Sequence, residues 1–101
     1  MKDTCKIRIT DDTSPSDMDS FFCDMWSRNR PVHLLLDTTQ CKRVSLTRIL
    51  SMKGVLNKHR NNSKKYIEYT TIMVKSRLVK NLLRVGLSIL KSERPVYIET
   101  L

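Results

Sequence analysis

The sequence predicts an α/β fold: a single small domain in the order βαβαβαβ, with a mostly parallel four-stranded sheet and three helices. Three observations carry that reading. Apolar and β-branched stretches of strand length alternate with stretches of helical period. Ser14, Ser45 and Ser76 each stand at the head of a helical stretch, where a hydroxyl caps free backbone N–H groups. Pro31 and Pro95 open two of the strand-like segments, which no helix interior would tolerate.

"TCKIRIT" sets Cys5, Ile7 and Ile9 against Lys6 and Arg8, the period of a half-buried strand. Ser14 and Pro15 then start a helix, with Asp17 in its first turn and Asp19 just beyond, near the dipole end that favours negative charge. Met18, Phe21, Phe22, Met25 and Trp26 form its apolar face, which ends near Arg28. "PVHLLLD" is short and continuous, as expected of a strand buried on both faces. Ser45 caps a second helix running toward Lys58, with Leu46, Ile49, Leu50 and Leu56 inward. Gly54 inside it costs about 1 kcal/mol against alanine and suggests a close approach to a neighbour.

"NKHRNNSKK" reads as a polar, basic loop and "YIEYTTIMV" as the third strand. Ser76 caps the third helix, whose Val79, Leu82, Leu83, Gly86, Ile89 and Leu90 form the stripe expected to be buried. "PVYIET" closes the sheet. A chain of 101 residues suits one domain, 1–101, and no apolar run reaches the ~18 residues of a membrane span. The N-terminal segment lacks the apolar core of a secretory signal, so a cytoplasmic (intracellular) location is expected.

Chemistry is sparse. The three cysteines, Cys5, Cys23 and Cys41, are odd in number and widely spaced, which suits small hydrophobes better than a disulfide framework or zinc site. Two glycines, both inside helical patterns, exclude the loops that cradle phosphate in nucleotide-binding folds. His33 and Asp37 fall about 13 Å apart along one strand, too far for a catalytic triad. Asp37 lies at the carboxyl end of its strand, where α/β folds place ligands, but has no paired acid or base. It is expected to cap the turn with Thr38 or Thr39. No enzymatic activity, metal or cofactor is expected.

Charge is the informative quantity. Residues 1–41 hold five Lys/Arg against seven Asp, giving −2; residues 42–101 hold fourteen Lys/Arg against three Glu, giving +11. Arg77, Lys80, Arg84 and Lys91 mark a basic stripe on the third helix, Arg48 lies on the second, and Lys58, Arg60, Lys64 and Lys65 lie in or beside the basic loop. These nine residues are the candidate anion- or partner-binding surface. Without aromatics among them, base-specific nucleic-acid recognition is not expected.

"SDMDSFFCDM", "PVHLLLDTTQCKRVSLTRIL", "TTIMVKSRLVKNLLRVGLSI" and "RPVYIET", in that order, resemble the STAS-like group, which includes the anti-sigma-factor antagonists. That resemblance implies a non-catalytic interaction domain. In the antagonists a phosphorylated serine follows an aspartate at the start of the helix after the second buried strand. Here those two places hold Ser45 and Leu46, so the signature is absent, and Ser45 and Thr47 are the nearby candidate phosphosites. The expected function is docking of an acidic protein partner, or self-association, through the basic helical face. Non-specific nucleic-acid binding and a structural role in a larger assembly, such as a virus particle, are the alternatives.

Overall fold

Ser14 closes a capping box: its hydroxyl accepts from the Asp17 amide at 3.1 Å and its own amide donates to the Asp17 carboxylate at 3.0 Å. In the computed structural model, which describes residues 3–90 and 94–100, this box starts α1 (Pro15–Trp26) after β1 (Asp3–Arg8). Asn29, in the left-handed region at φ 52°, turns the chain into β2 (Val32–Asp37). Three short helical segments follow: α2 (Leu46–Leu50), α3 (Lys53–Lys58) and α4 (Arg60–Tyr66). Then come β3 (Ile67–Val74), α5 (Arg77–Leu90) and β4 (Val96–Thr100).

The four strands are all parallel and lie in the order β1-β2-β3-β4, so the predicted α/β class is what the chain adopts. The middle crossover departs from expectation. The sequence predicts one helix followed by a loop; instead the helix breaks at Ser51 and Met52, and the basic stretch 60–66 is itself helical. That stretch has no apolar period to announce it, and its ends are tied to distant residues, His59 to Trp26 and Asp19 and Tyr66 to Asn29.

Right-handed crossovers between sequential strands all fall on one side of the sheet. Met18, Phe22 and Met25 of α1 pack on Cys5, Ile7, Val32 and Leu34, and Leu83 of α5 packs on Ile72 and Val74. The other face carries no helix among the described residues. This corrects the expectation that β2 is buried on both faces: Val32 and Leu34 point into the core, whereas His33 and Leu35 are only half-buried. On the uncovered face His33 stacks on Tyr69 at 4.0 Å and bonds the Thr71 hydroxyl at 2.9 Å. Tyr97 meets Tyr69 edge-on.

The covered face holds two separate clusters of buried side chains, one around β1, α1 and β2, the other around β3 and α5. Leu36 packs against both. Between them lies a cavity of about 210 Å3 roofed by Ile49, Met52 and Leu56. No side chain of α2, α3 or α4 is fully buried, so the middle crossover covers the sheet without filling it.

Glycine has traded places with expectation. A Cβ at Gly54 would meet nothing within 4 Å, while one at Gly86 would lie 2.5 Å from Ile49 Cγ2. The close approach is therefore between α5 and α2.

Candidate functional site

α5 is the longest helix and carries more apolar surface than the sheet can cover. At 3.6 residues per turn, Val79, Leu83, Gly86, Leu87 and Leu90 share the stripe that faces the sheet and α2. Leu78, Leu82, Val85 and Ile89, spaced four, three and four apart, form a second stripe beside it. Leu78 is 72% exposed, Val85 50% and Ile89 54%, so this second stripe faces solvent. The expectation that Ile89 belongs to the buried stripe is thereby corrected. An apolar arc wider than one contact face cannot reveal from period alone which part packs.

The seam has defined borders. On one side Gly86 lets α2 approach. On the other, Arg77 and Arg84 each precede a seam residue by one position, about 100° round the helix axis. Both are exposed, half-exposed Lys80 lies on the same flank as the two arginines, and α5 contains no Asp or Glu.

The remaining predicted basic residues are placed differently. Arg48 is drawn inward: its guanidinium donates to the carbonyls of Thr10, Thr13 and Arg43 and lies 3.6 Å from Asp11. It latches two loops together rather than facing a partner. Lys58 bonds Asp19 at 3.1 Å, and Lys65 lies 5.0 Å from the centre of the Tyr66 ring. Arg60 donates to Asn57, and Lys64 is exposed on α4. Lys91 lies outside the described residues. Ser45 is the N-cap of α2, its hydroxyl accepting from the Arg48 amide at 3.2 Å; Thr47 is exposed.

Asp19, Cys23 and His59 bring three potential metal-ligand atoms within 4.8 Å of one another. The bonding argues against a metal there. Trp26 Nε1, which can only donate, bonds His59 Nδ1 at 2.9 Å, so Nδ1 is the bare nitrogen and Nε2 donates to Asp19 at 2.5 Å. A metal on Nε2 would shift the proton to Nδ1 and set it against the indole N–H. The bonding is instead structural, with His59, only 4% exposed where a solvated loop was expected, tied to Trp26 and Asp19. Cys23 is exposed, which corrects its reading as a buried hydrophobe, while Cys5 and Cys41 are buried. Burial pushes the Cys41 thiol upward.

Asp37 does cap its turn, accepting from the Thr39 hydroxyl at 2.5 Å and the Thr39 amide at 3.0 Å, with Lys6 at 3.8 Å. Those Thr39 bonds hold its carboxyl below the usual range. The Arg43 and Lys42 amides do the same for Asp11, and the His59 and Lys58 bonds for Asp19. A carboxyl whose folded value is depressed stabilises the fold above its unfolded value and loses that contribution as the pH falls through the folded one. Urea midpoints should therefore hold steady from pH 7 to about 5 and fall below about 4. A midpoint that rose on acidification would contradict these three assignments.

No protein-family model, curated protein or solved structure matches this chain.

Proposed function

We propose that the chain is a non-catalytic docking module of STAS-like kind whose contact surface is the outward seam of α5. The single observation that carries this is the exposure of Leu78, Val85 and Ile89 in one row. Burying such side chains removes apolar area from water at about 25 cal/mol per Å2, and a helix laid in parallel to the row does so most completely. The four-three-four spacing is that of a coiled-coil seam. Charge selects the partner. A second copy would bring its own arginines to a helix that has no acid, so the fitting partner is an amphipathic helix with acidic flanks. Phosphate backbones gain nothing from an aliphatic row, which disfavours nucleic acid as the occupant. The element order and the absent Asp-Ser signature support constitutive docking over phosphorylation-controlled docking.

The test is binding to a synthetic helical peptide with leucines at four-three spacing and flanking glutamates, read by fluorescence anisotropy. Val85→Glu with Ile89→Glu should abolish binding while leaving the thermal midpoint nearly unchanged, since both residues are exposed. Arg77→Glu with Arg84→Glu should slow association and remove its salt dependence. Full binding by the seam variant would refute the proposal. Duplex DNA that binds the seam variant as tightly as the unaltered chain, with a log–log salt slope of about −0.9 per phosphate, would assign the basic surface to nucleic acid instead.

A further inference from the structure

The cavity between the two core clusters is independent of the α5 seam. Leu36, Ile72, Leu83 and Leu87 form one wall, and Ile49, Met52 and Leu56 face them from the middle crossover. Aliphatic walls of this kind hold water poorly, and an engineered cavity of about 150 Å3 with such a lining takes up benzene. The space here is larger, about 210 Å3, and is partly open to solvent. Scaling from benzene, it accommodates a chain of about eight carbons.

Its two ends differ in chemistry. The end at the carboxyl edge of the sheet is lined by Thr38, Cys41 and Arg48, and Arg48 is already neutralised by Asp11. The end at the amino edge is lined by Ser63, Arg60 and Arg94. Arg94 sets its Nε and Nη2 on the Lys64 carbonyl, which fixes its fork against α4. Each guanidinium carries five donors in a plane, the shape that receives a carboxylate.

We infer that the cavity is a binding site for a single-chain amphiphile with an anionic head, a carboxylate of about eight carbons, whose tail lies between the sheet and the α2–α3 roof. Its head joins the partners that Arg60 and Arg94 already hold. The roof rests on half-buried side chains alone, so it can lift to admit the chain.

Octanoate, octanol and octylamine, added separately to the full chain, test the site by calorimetric titration and thermal shift. Octanoate should bind saturably and raise the thermal midpoint; octanol should bind more weakly and octylamine weakest. Leu36→Trp, which fills the void, should abolish binding of all three. Should that variant fail to fold, Arg60→Gln with Arg94→Gln probes the same cavity from two exposed positions. It should weaken octanoate about tenfold or more and leave octanol unchanged. Absence of saturable binding by both octanoate and octanol would overturn the inference, as would equal octanoate affinity in the arginine variant. Neither result bears on the docking seam, whose variant Val85→Glu with Ile89→Glu should bind octanoate normally.

Discussion

Leu34→Ala is expected to lower the free energy of unfolding by about 2–5 kcal/mol, whereas Leu35→Ala one residue along should cost about 1 kcal/mol or less. The contrast follows from the pleat. Leu34 is 2% exposed and projects into the core cluster of β1, α1 and β2, at the wall of the cavity, so truncating it enlarges a space that is already unfilled. Leu35 points to the uncovered face, where it is half-buried between neighbouring strands with no helix above it. Urea denaturation of the two variants measures the difference directly. Equal losses would mean that the bare face is covered in solution, and the Leu35→Ala loss would then depend on protein concentration.

Gly86→Ala should destabilise the chain by about 1–3 kcal/mol, although alanine in a helix interior is ordinarily favoured by about 1 kcal/mol. The new methyl would lie 2.5 Å from Ile49 Cγ2 and 3.4 Å from Ile49 Cβ. In a helix a β-branched side chain strongly prefers one χ1 rotamer, so Ile49 withdraws Cγ2 only at a cost and α2 is expected to shift instead. Ile49→Ala removes the obstructing methyl, and in that background Gly86→Ala should be neutral or stabilising. The sign reversal is the diagnostic. If Gly86→Ala stabilised the otherwise unaltered chain, α2 would not be held against α5.

Local chemistry made much of the fold readable. The capping box at Ser14, the prolines before β2 and β4 and the β-branched run of β3 each specify an element through contacts a few residues apart. The turn at Asp37 was legible for the same reason. What escaped depends on contacts distant in sequence. Arg48 has the composition of a surface cation, and only the return of the loop bearing Thr10 and Thr13 makes it a latch. His59 sits in a polar run, yet α1 brings Trp26 and Asp19 to both its nitrogens. The seam on α5 was hidden by its own abundance, since Leu82 and Ile89 fit a buried stripe as well by period as Leu83 and Leu90.

The sequential strand order has a consequence for how the molecule comes apart. In the sheet each strand bonds only to its neighbours in the chain, as in a stacked array where stability accumulates from one unit to the next. The void lies where the array is already linear, and the β2–β3 ladder, Leu36, Ile67 and the Ile49–Gly86 contact join a larger half, β1-α1-β2, to a smaller one, β3-α5-β4. A sub-global excursion in this array would open the smaller half while the larger stays closed. An occupant of the cavity would touch both halves at once and act as a rivet between them.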